Sequence, residues 1–590
     1  MNSKKYYVLS AVLLVASMLL GACQPAPAAP EAAADAPAAD APAAGDGEKA
    51  PAAEAAVPDD LPVLRVNLTS FPDMIDPQKS SFNNEISHLR QMYEGLTRLN
   101  ENLEVVPAAA ESWEFNEDGT EVVFNLREGL KYADGSLLNA LRFEYAFKRT
   151  INPYTAGEYA YITDDIKNAV AYRSADVEAL SEEELKALED QVMVQAFDKD
   201  GNRCTSYDDA NCLTLKVELE QPAPYFASIA GLWVAFPARQ EIIETDPEIW
   251  WLEASNHIGN GPFNLAKLEL NEVGLFEPNP YYWDGQPSYM LEYHYITDSA
   301  VAFEAYKNDE MDIFAFGVED FQTIQNDPVL SEEMVMFPGT CTFGAMFHHE
   351  KEPFNDPKVR EAFAYAIDRD AWVRDVLKGV GVPTLTWIPK GVPGHKEGET
   401  RWGYDPEAAL QAIADSSYGS TDALPPVTLT FADNPRNRTR FEWLSAQWSG
   451  IFNMEITLNP VEPTTYTALT KDRETSPQVY ILGWCSDYPD PQNWLGTYWR
   501  TGAFGERIAF SNAELDALMA TADATMDYEE RLRLEQEAQD MLIDLVPAGL
   551  IWNRAETYLV KPWVKGITVT AQDADWPGTF MPLTITVEDH

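Results

Sequence analysis

Histidine, cysteine and basic side chains are scarce in this sequence, and each scarcity narrows what the chain can do. Its 590 residues include seven His and five Cys. No CxxC pair occurs and the His residues lie away from the cysteines, which argues against a structural zinc site. Lys and Arg total 42 against 95 Asp and Glu, a formal charge of −53. A field of that sign disfavours nucleic acid and anionic membrane surfaces as partners and keeps the surface solvated. Beyond the N-terminal region, no apolar stretch approaches membrane-spanning length. Enzyme signatures are missing as well. There is no GxxxxGK[ST] phosphate loop and no GxSxG nucleophile elbow. His349-Glu350 begins like a zinc-binding HExxH, but Pro353 stands where the second His is needed. Asp198-Lys199-Asp200-Gly201 lacks EF-hand spacing and reads as a surface turn. No cofactor and no metal is implied.

The N-terminus, in contrast, is rich in signal. Lys4 and Lys5 precede an apolar run, Val8 to Leu20, too short for a stable bilayer anchor. Leu20-Gly21-Ala22-Cys23 follows and resembles a bacterial lipobox. The resemblance implies that residues 1–22 are a signal peptide and that Cys23 carries the lipid. Residues 24–60 are mostly Ala and Pro with interspersed acids and no aromatic residue. Such a segment cannot bury enough apolar surface to order itself, and its prolines favour extended conformations. At ~3.1 Å per residue the 23–60 linker could reach on the order of 100 Å.

Four cysteines remain: Cys204, Cys212, Cys341 and Cys485. An exported chain meets an oxidising milieu, so an even count fits two disulfides, with three pairings possible. Cys204 and Cys212 flank a polar loop between two strand-like runs, Val192-Phe197 and Leu213-Leu219, so a bridge across that hairpin is the simple expectation. Cys341 and Cys485 would then pair.

From Leu61 onward, strand and helix patterns alternate, which predicts an α/β or α+β multi-domain protein. Helical spacing covers Ser87-Leu99 and Leu138-Thr150, and Asp176-Gln191 reads as a charged, exposed helix. Asp356 and Pro357 open a helix whose face is Val359, Phe363, Ile367 and Val373. Ser511 and Glu514 match a capping box. The densest site-like segment is Gly483-Trp484-Cys485-Ser486-Asp487-Tyr488-Pro489-Asp490-Pro491, directly after an apolar strand. Asp487 between aromatic residues could meet a ligand cation in a partly dry cleft.

An ordered set of segments then resembles the oligopeptide- and dipeptide-binding family of solute-binding proteins that serve bacterial ABC importers. They are Ile75-Asp76-Pro77, Met92 to Thr97 (MYEGLT), Pro107 to Trp113 (PAAAESW), Phe124 to Gly129 (FNLREG), Asn260 to Phe263, Asn279-Pro280, Pro353 to Arg369 (PFNDPKVREAFAYAIDR), Tyr404-Asp405-Pro406 and the 483–491 loop. The resemblance implies an α/β, two-lobed, type II periplasmic-binding-protein fold with an extra third domain and a ligand cleft between hinged lobes. It places lobe I at 61–104, 251–340 and 555–590, the extra domain at 105–250 and lobe II at 341–554, with hinge crossings near Cys341 and Arg554. It gives Asp487 the role of binding a peptide's α-amino group. Trp484, Tyr488, Tyr159 and Trp233 are cleft-lining candidates, and the resemblance also joins Cys341 to Cys485. The implied partners are a peptide and the permease and ATPase subunits of an importer, with a monomeric protein held on the outer face of the cell membrane by its N-terminal lipid. Two other readings remain at this point: the same fold binding an oligosaccharide or metal chelate, and an extracytoplasmic hydrolase.

Overall fold

The computed structural model describes residues 61–573 and 575–590. Cys23, the signal peptide and the Ala/Pro-rich linker lie outside them. Strand β1 (Val63–Asn67) buries Leu64 and Val66 and sits inside the largest sheet. The chain then passes Asp76, whose carboxylate is wholly buried, and enters helix α1 (Asn83–Met92). Glu85 closes the first turn of α1 by accepting from the amides of Ser81 and Phe82 at 2.7 and 3.1 Å. The apolar face Ile86, Leu89, Met92 packs inward, leaving Arg90 in the last turn. The helix does not continue to Leu99 as its periodicity predicts. Thr97–Leu99 instead pairs with Val105–Pro107. Gly95 lies so close to residues 230–231 that a Cβ there would stand 2.6 Å from the Ala230 carbonyl oxygen. That approach fixes an extended path, a tertiary contact overriding local propensity.

Residues 110–218 build a separate four-stranded antiparallel sheet from β2 (Ala110–Phe115), β3 (Glu121–Leu126), β4 (Val194–Asp198) and β5 (Cys212–Glu218), in the order β2-β3-β5-β4. Cys204 is bonded to Cys212 beside the β4–β5 hairpin. Helix α2 (Ala140–Thr150) packs on this sheet. From its last turn Arg149 reaches the Asp76 carboxylate with two hydrogen bonds of 2.5 and 2.6 Å. Burial alone would raise the Asp76 pKa, but the Arg149 charge and hydrogen bonds outweigh it and hold the carboxyl below its usual range. This buried pair ties the entry segment to the second sheet. The charged helix α3 (Glu182–Gln191) lies on the surface behind a Ser181–Glu184 capping box.

The chain returns to the large sheet through β6 (Phe263–Glu269), β7 (Val273–Pro278), β8 (Met290–His294) and β9 (Ile313–Ala315). The long strand β10 (Met334–Phe347) follows, then α4 (Pro357–Tyr365), capped by Asp356 as its sequence predicts. β11 (Val427–Ala432), α5 (Pro435–Phe452), β12 (Ile456–Val461) and β13 (Val479–Cys485) continue an alternating α/β layer. Helices α6 (Pro491–Trp499), α7 (Ala513–Asp523) and α8 (Tyr528–Leu545) precede the long strand β14 (Ala548–Val560). The cap of α7 differs from expectation. Asn512 accepts from the Glu514 and Leu515 amides at 3.1 and 2.9 Å, while the Ser511 hydroxyl pairs with Thr501.

Ten strands of the large sheet run in the order β12-β11-β13-β10-β14-β9-β1-β8-β7-β6, and an eleventh, Val382–Pro383, pairs with β14 off that path. One apolar core gathers residues 64–313 and 558–587 with Phe337 and Tyr488, two others are drawn from residues 345–552, and a smaller one from residues 302–330 with Leu559. β10 and β14 run antiparallel between these regions, with register shifts between Pro338 and Thr342 and between Phe343 and Gly344.

Candidate functional site

The site grows out of the C-terminal end of β13. Cys341 and Cys485 are direct partners across the β10–β13 pair and are joined by a disulfide. Close approach continues at Gly483, where a Cβ would lie 2.4 Å from the Thr342 carbonyl oxygen. Beyond Val479 the other edge of β13 is unpaired by any strand among the described residues.

The loop after β13 is held at both ends. At its far end Asp490 caps α6, accepting from the Gln492 amide at 3.1 Å and from Arg531 at 2.8 Å. At its near end Asn493, in the first turn of α6, reaches back. Its side-chain oxygen accepts from the Trp484 indole at 2.9 Å and from the Asp487 amide at 3.2 Å, and its Nδ2 donates to Asp487 Oδ2 at 3.2 Å. Asp487 is thereby aimed rather than left to rotate. No Lys or Arg among the described residues forms an ion pair with it. Burial pushes its carboxyl up to about 6 against the opposing help of Asn493, Tyr159 and Tyr161.

Tyr159 and Trp233 form the facing wall, edge to face at 5.0 Å. The Trp233 indole donates to the Ser80 carbonyl at 2.9 Å, which fixes the ring. Tyr161 stacks on Tyr159 and meets Phe504 edge-on at 6.3 Å. Tyr159, Trp233, the Cys341–Cys485 bridge and Asp487 line a chamber of about 110 Å³. A second chamber, about 310 Å³, adjoins it and shares Arg90, Asp487, Gln572, Thr579 and Phe580. On the opposite side of Tyr488 lies an open groove of about 800 Å³ that includes Tyr161, Phe504 and Arg507.

The five predicted cleft residues separate into three kinds. Asp487, Tyr159 and Trp233 share one chamber. Tyr488 stands between the larger chamber and the groove, but it is only 3% exposed, donates to Gln492 Oε1 and stacks on Tyr225. It is the sole buried residue of 341–554 in the first apolar core, so it locks the two regions together. Trp484 lines none of these cavities. Its ring packs against Tyr498 and Phe504 and its N–H orients Asn493. The Cys204–Cys212 bridge lines none of them either.

Sequence reasoning missed the ionic lining of the small chamber: Arg90, Arg554, Glu556 and Asp575. Arg554 and Glu556 pair at 2.9 Å. Burial pushes Glu556 up to about 7 despite Arg554, and pushes Asp575 up to about 7 despite Arg90. Burial also lowers Arg90 to about 10. Asn493 was missed as well. It looks like an ordinary helix residue until the loop folds back over it.

A preformed chamber with an aimed, unpaired acid, set between two separately cored α/β regions, defines a binding protein with its ligand cleft between lobes. Its fold is the two-lobed type II periplasmic-binding-protein fold with an extra third domain. The chain belongs to the bacterial extracellular solute-binding proteins of family 5, whose "Family 5 Middle" region it matches over residues 104–506. It is 26% identical over 515 residues to the dipeptide-binding protein DppE of Bacillus subtilis, covering 86% of this chain and 89% of that one. It is 28% identical over 533 residues to the probable deoxycholate-binding periplasmic protein YgiS of Escherichia coli, covering 88% and 94%. The unliganded open form of the murein tripeptide-binding protein MppA superposes with a TM-score of 0.74 at 24% identity, covering 90% of this chain and 99% of that chain.

Proposed function

We propose that this protein is the extracytoplasmic receptor of an ABC importer and that it captures peptides in the cleft beside Asp487. The observation that carries the reading is a carboxylate held by Asn493 and faced by aromatic residues, with no cationic partner of its own. A ligand ammonium supplies the missing charge, and in a site with little water that pairing counts for more than on a surface. Beyond Val479 no described strand pairs the outer edge of β13, and apart from the Ile481 carbonyl, which takes the Tyr466 hydroxyl, its backbone groups suit an extended peptide, a mode that ignores side-chain identity. The lobe limits given above, with β10 and β14 as the crossings, suit closure over such a ligand. The register shifts of β10 near Cys341 give those strands somewhere to bend. We further propose lipid attachment at Cys23, a monomer in solution and no enzymatic activity. A lipid at the end of a long, stiff linker would keep the receptor near its permease.

The test is pull-down from a peptide mixture with mass spectrometry, with deoxycholate offered in parallel. Enrichment of peptides, and its loss in Asp487→Ala, is the expected result. Retained peptide affinity in Asp487→Ala would sink the amine-anchor role. Binding of deoxycholate alone would move the protein to the steroid-acid side of its relatives.

A further inference from the structure

We infer that the 310 Å³ chamber is a pocket that reads the first side chain of a bound peptide and favours a large apolar one; this rests on the peptide reading above. Backbone pairing along β13 is blind to side chains, so selectivity has to come from the walls beside it. The first support is where the chamber sits. Asp487, Tyr488 and Pro489 are its only lining from residues 341–554, and the rest comes from residues 90–284 and 572–584. An ammonium held on Asp487 at ~2.7–2.9 Å carries its Cα one bond of ~1.46 Å further, so the first Cα lies within about 4.4 Å of the carboxylate oxygen. The first side chain therefore starts beside this chamber, while the second leaves an extended chain on the opposite side.

The second support is the chemistry of the wall. Leu99, Val106, Leu232, Phe236, Phe580 and Leu583 give it an apolar surface. Leu99, Val106, Phe580 and Leu583 are only partly buried, so a ligand that covers them removes apolar area from water. Most charged groups of the chamber are spent on their neighbours. Glu94 accepts from the Tyr282 hydroxyl and the Trp283 indole, each at 2.6 Å, and Arg98 pairs with Asp284 at 2.6 Å. Glu101 is exposed to solvent. Arg90, shared with the small chamber, stacks on Phe580 at 3.8 Å, and its charge makes an acidic side chain the competing occupant. Any other polar side chain entering here exchanges water for an apolar wall, which costs free energy.

The third support is that the pocket is already built. The hairpin of Thr97–Leu99 and Val105–Pro107 forms one wall. The Leu96 amide donates to the Ala230 carbonyl at 2.9 Å and the Thr97 hydroxyl to the Ala227 carbonyl at 2.6 Å, which holds the hairpin against the wall that carries Leu232. On the C-terminal side the Phe580 amide donates to Asp573 at 3.3 Å and the Thr579 hydroxyl to the Trp576 carbonyl at 2.6 Å. Walls fixed in this way do not have to be ordered by the ligand, so the covered area converts more fully into affinity. A volume of about 310 Å³ reaches the low end of the ~300–1,000 Å³ of whole small-ligand sites, so a bulky group fits where Ala leaves most of the space unfilled.

Calorimetry on the full-length protein would use pentapeptides identical except at the first residue, which is Ala, Leu, Phe, Lys or Glu, and a second set varied in the same way at residue two. Leu and Phe in first place should bind about 10- to 100-fold more tightly than Ala, with a more negative heat-capacity change. Lys and Glu in first place should bind no better than Ala, and the second position should matter far less than the first. In Val106→Trp, which fills the chamber from the hairpin wall, the Phe-to-Ala affinity ratio should fall toward one. Equal affinity for Ala, Leu and Phe in the natural protein would overturn the pocket, and that measurement needs no variant to fold. A ratio that survives in Val106→Trp, or a preference seated at residue two, would overturn its placement. Tightest binding of the Glu peptide would overturn its apolar character. Failure of every peptide to bind would instead overturn the underlying peptide reading.

Discussion

Peptide affinity should pass through a maximum near neutral pH, and Asp487 should set its acid limb. The carboxyl is pushed up to about 6 in the ligand-free cleft. Only its ionised form pairs with an ammonium, so affinity is fully present above that value and falls as pH drops through it. Below about 6 each pH unit removes about a factor of ten, giving affinity about tenfold weaker near pH 5 than on the plateau. The peptide's own α-amino group titrates near 8, which adds a basic limb. Asp487→Asn removes the charge while keeping the shape. It should cost about 1.5–3 kcal/mol at neutral pH and abolish the acid limb. The same substitution should act oppositely on stability. The folded pKa lies above the unfolded value, so the fold prefers the neutral acid. This preference favours folding at low pH and is lost as pH rises from about 4 past 6. Moving 3.8 to about 6 corresponds to ~3 kcal/mol, a ceiling because the carboxylate lines two chambers rather than packed core. Asp487→Asn should therefore stabilise the ligand-free protein above pH 6 and change little near pH 4. Calorimetric titration with a free and an N-acetylated peptide, alongside urea unfolding, reads both effects. An acid limb near 6 that survives in Asp487→Asn would refute the assignment, as would indifference to acetylation. A step near 7 that survives belongs to Glu556 or Asp575, which share the chamber.

Other perturbations follow from the same geometry. Arg149→Met strands a wholly buried Asp76 and should cost about 3–5 kcal/mol by denaturant unfolding. Asn493→Ala frees both Asp487 and the Trp484 indole and should weaken peptide binding about tenfold, with near-normal folding by circular dichroism. Replacing Cys341 and Cys485 by Ser opens a covalent loop spanning 144 positions and should cost about 2–5 kcal/mol in unfolding experiments, more than the same change at Cys204 and Cys212, which are 8 apart.

The sequence was most legible where chemistry is local. Asp356-Pro357 announced α4, and the charged stretch Asp176-Gln191 contains α3, which starts only at Glu182. The strand-loop-strand pattern around Cys204 and Cys212 brings them side by side at the β4–β5 hairpin. Asp487 stood out because an acid among aromatic residues at a strand end is unusual. Long-range facts were hidden. The turn of the chain after Met92 depends on Gly95 meeting residues 230–231, more than a hundred positions away. Trp484 looked like a wall of the cleft, but the side it presents depends on how α6 folds back. Arg90 lay inside the helical stretch read from Ser87, and nothing in that spacing marked it as a chamber residue. Its neighbours in the chamber come from both ends of the chain, and no spacing rule joins residue 90 to residue 580.

Strand order has a consequence for how the chain is made. β14, residues 548–560, lies in the middle of the large sheet, between β10 and β9. The N-terminal strand β1 cannot reach β10 except through β9 and this late strand. A growing chain therefore cannot finish its central sheet from front to back, since the bridging strand emerges among the last residues. Pairings of such long sequence separation form slowly. Until residues 548–560 are available, β10 and β9 each keep an edge without its partner, and the two halves of the large sheet cannot be joined.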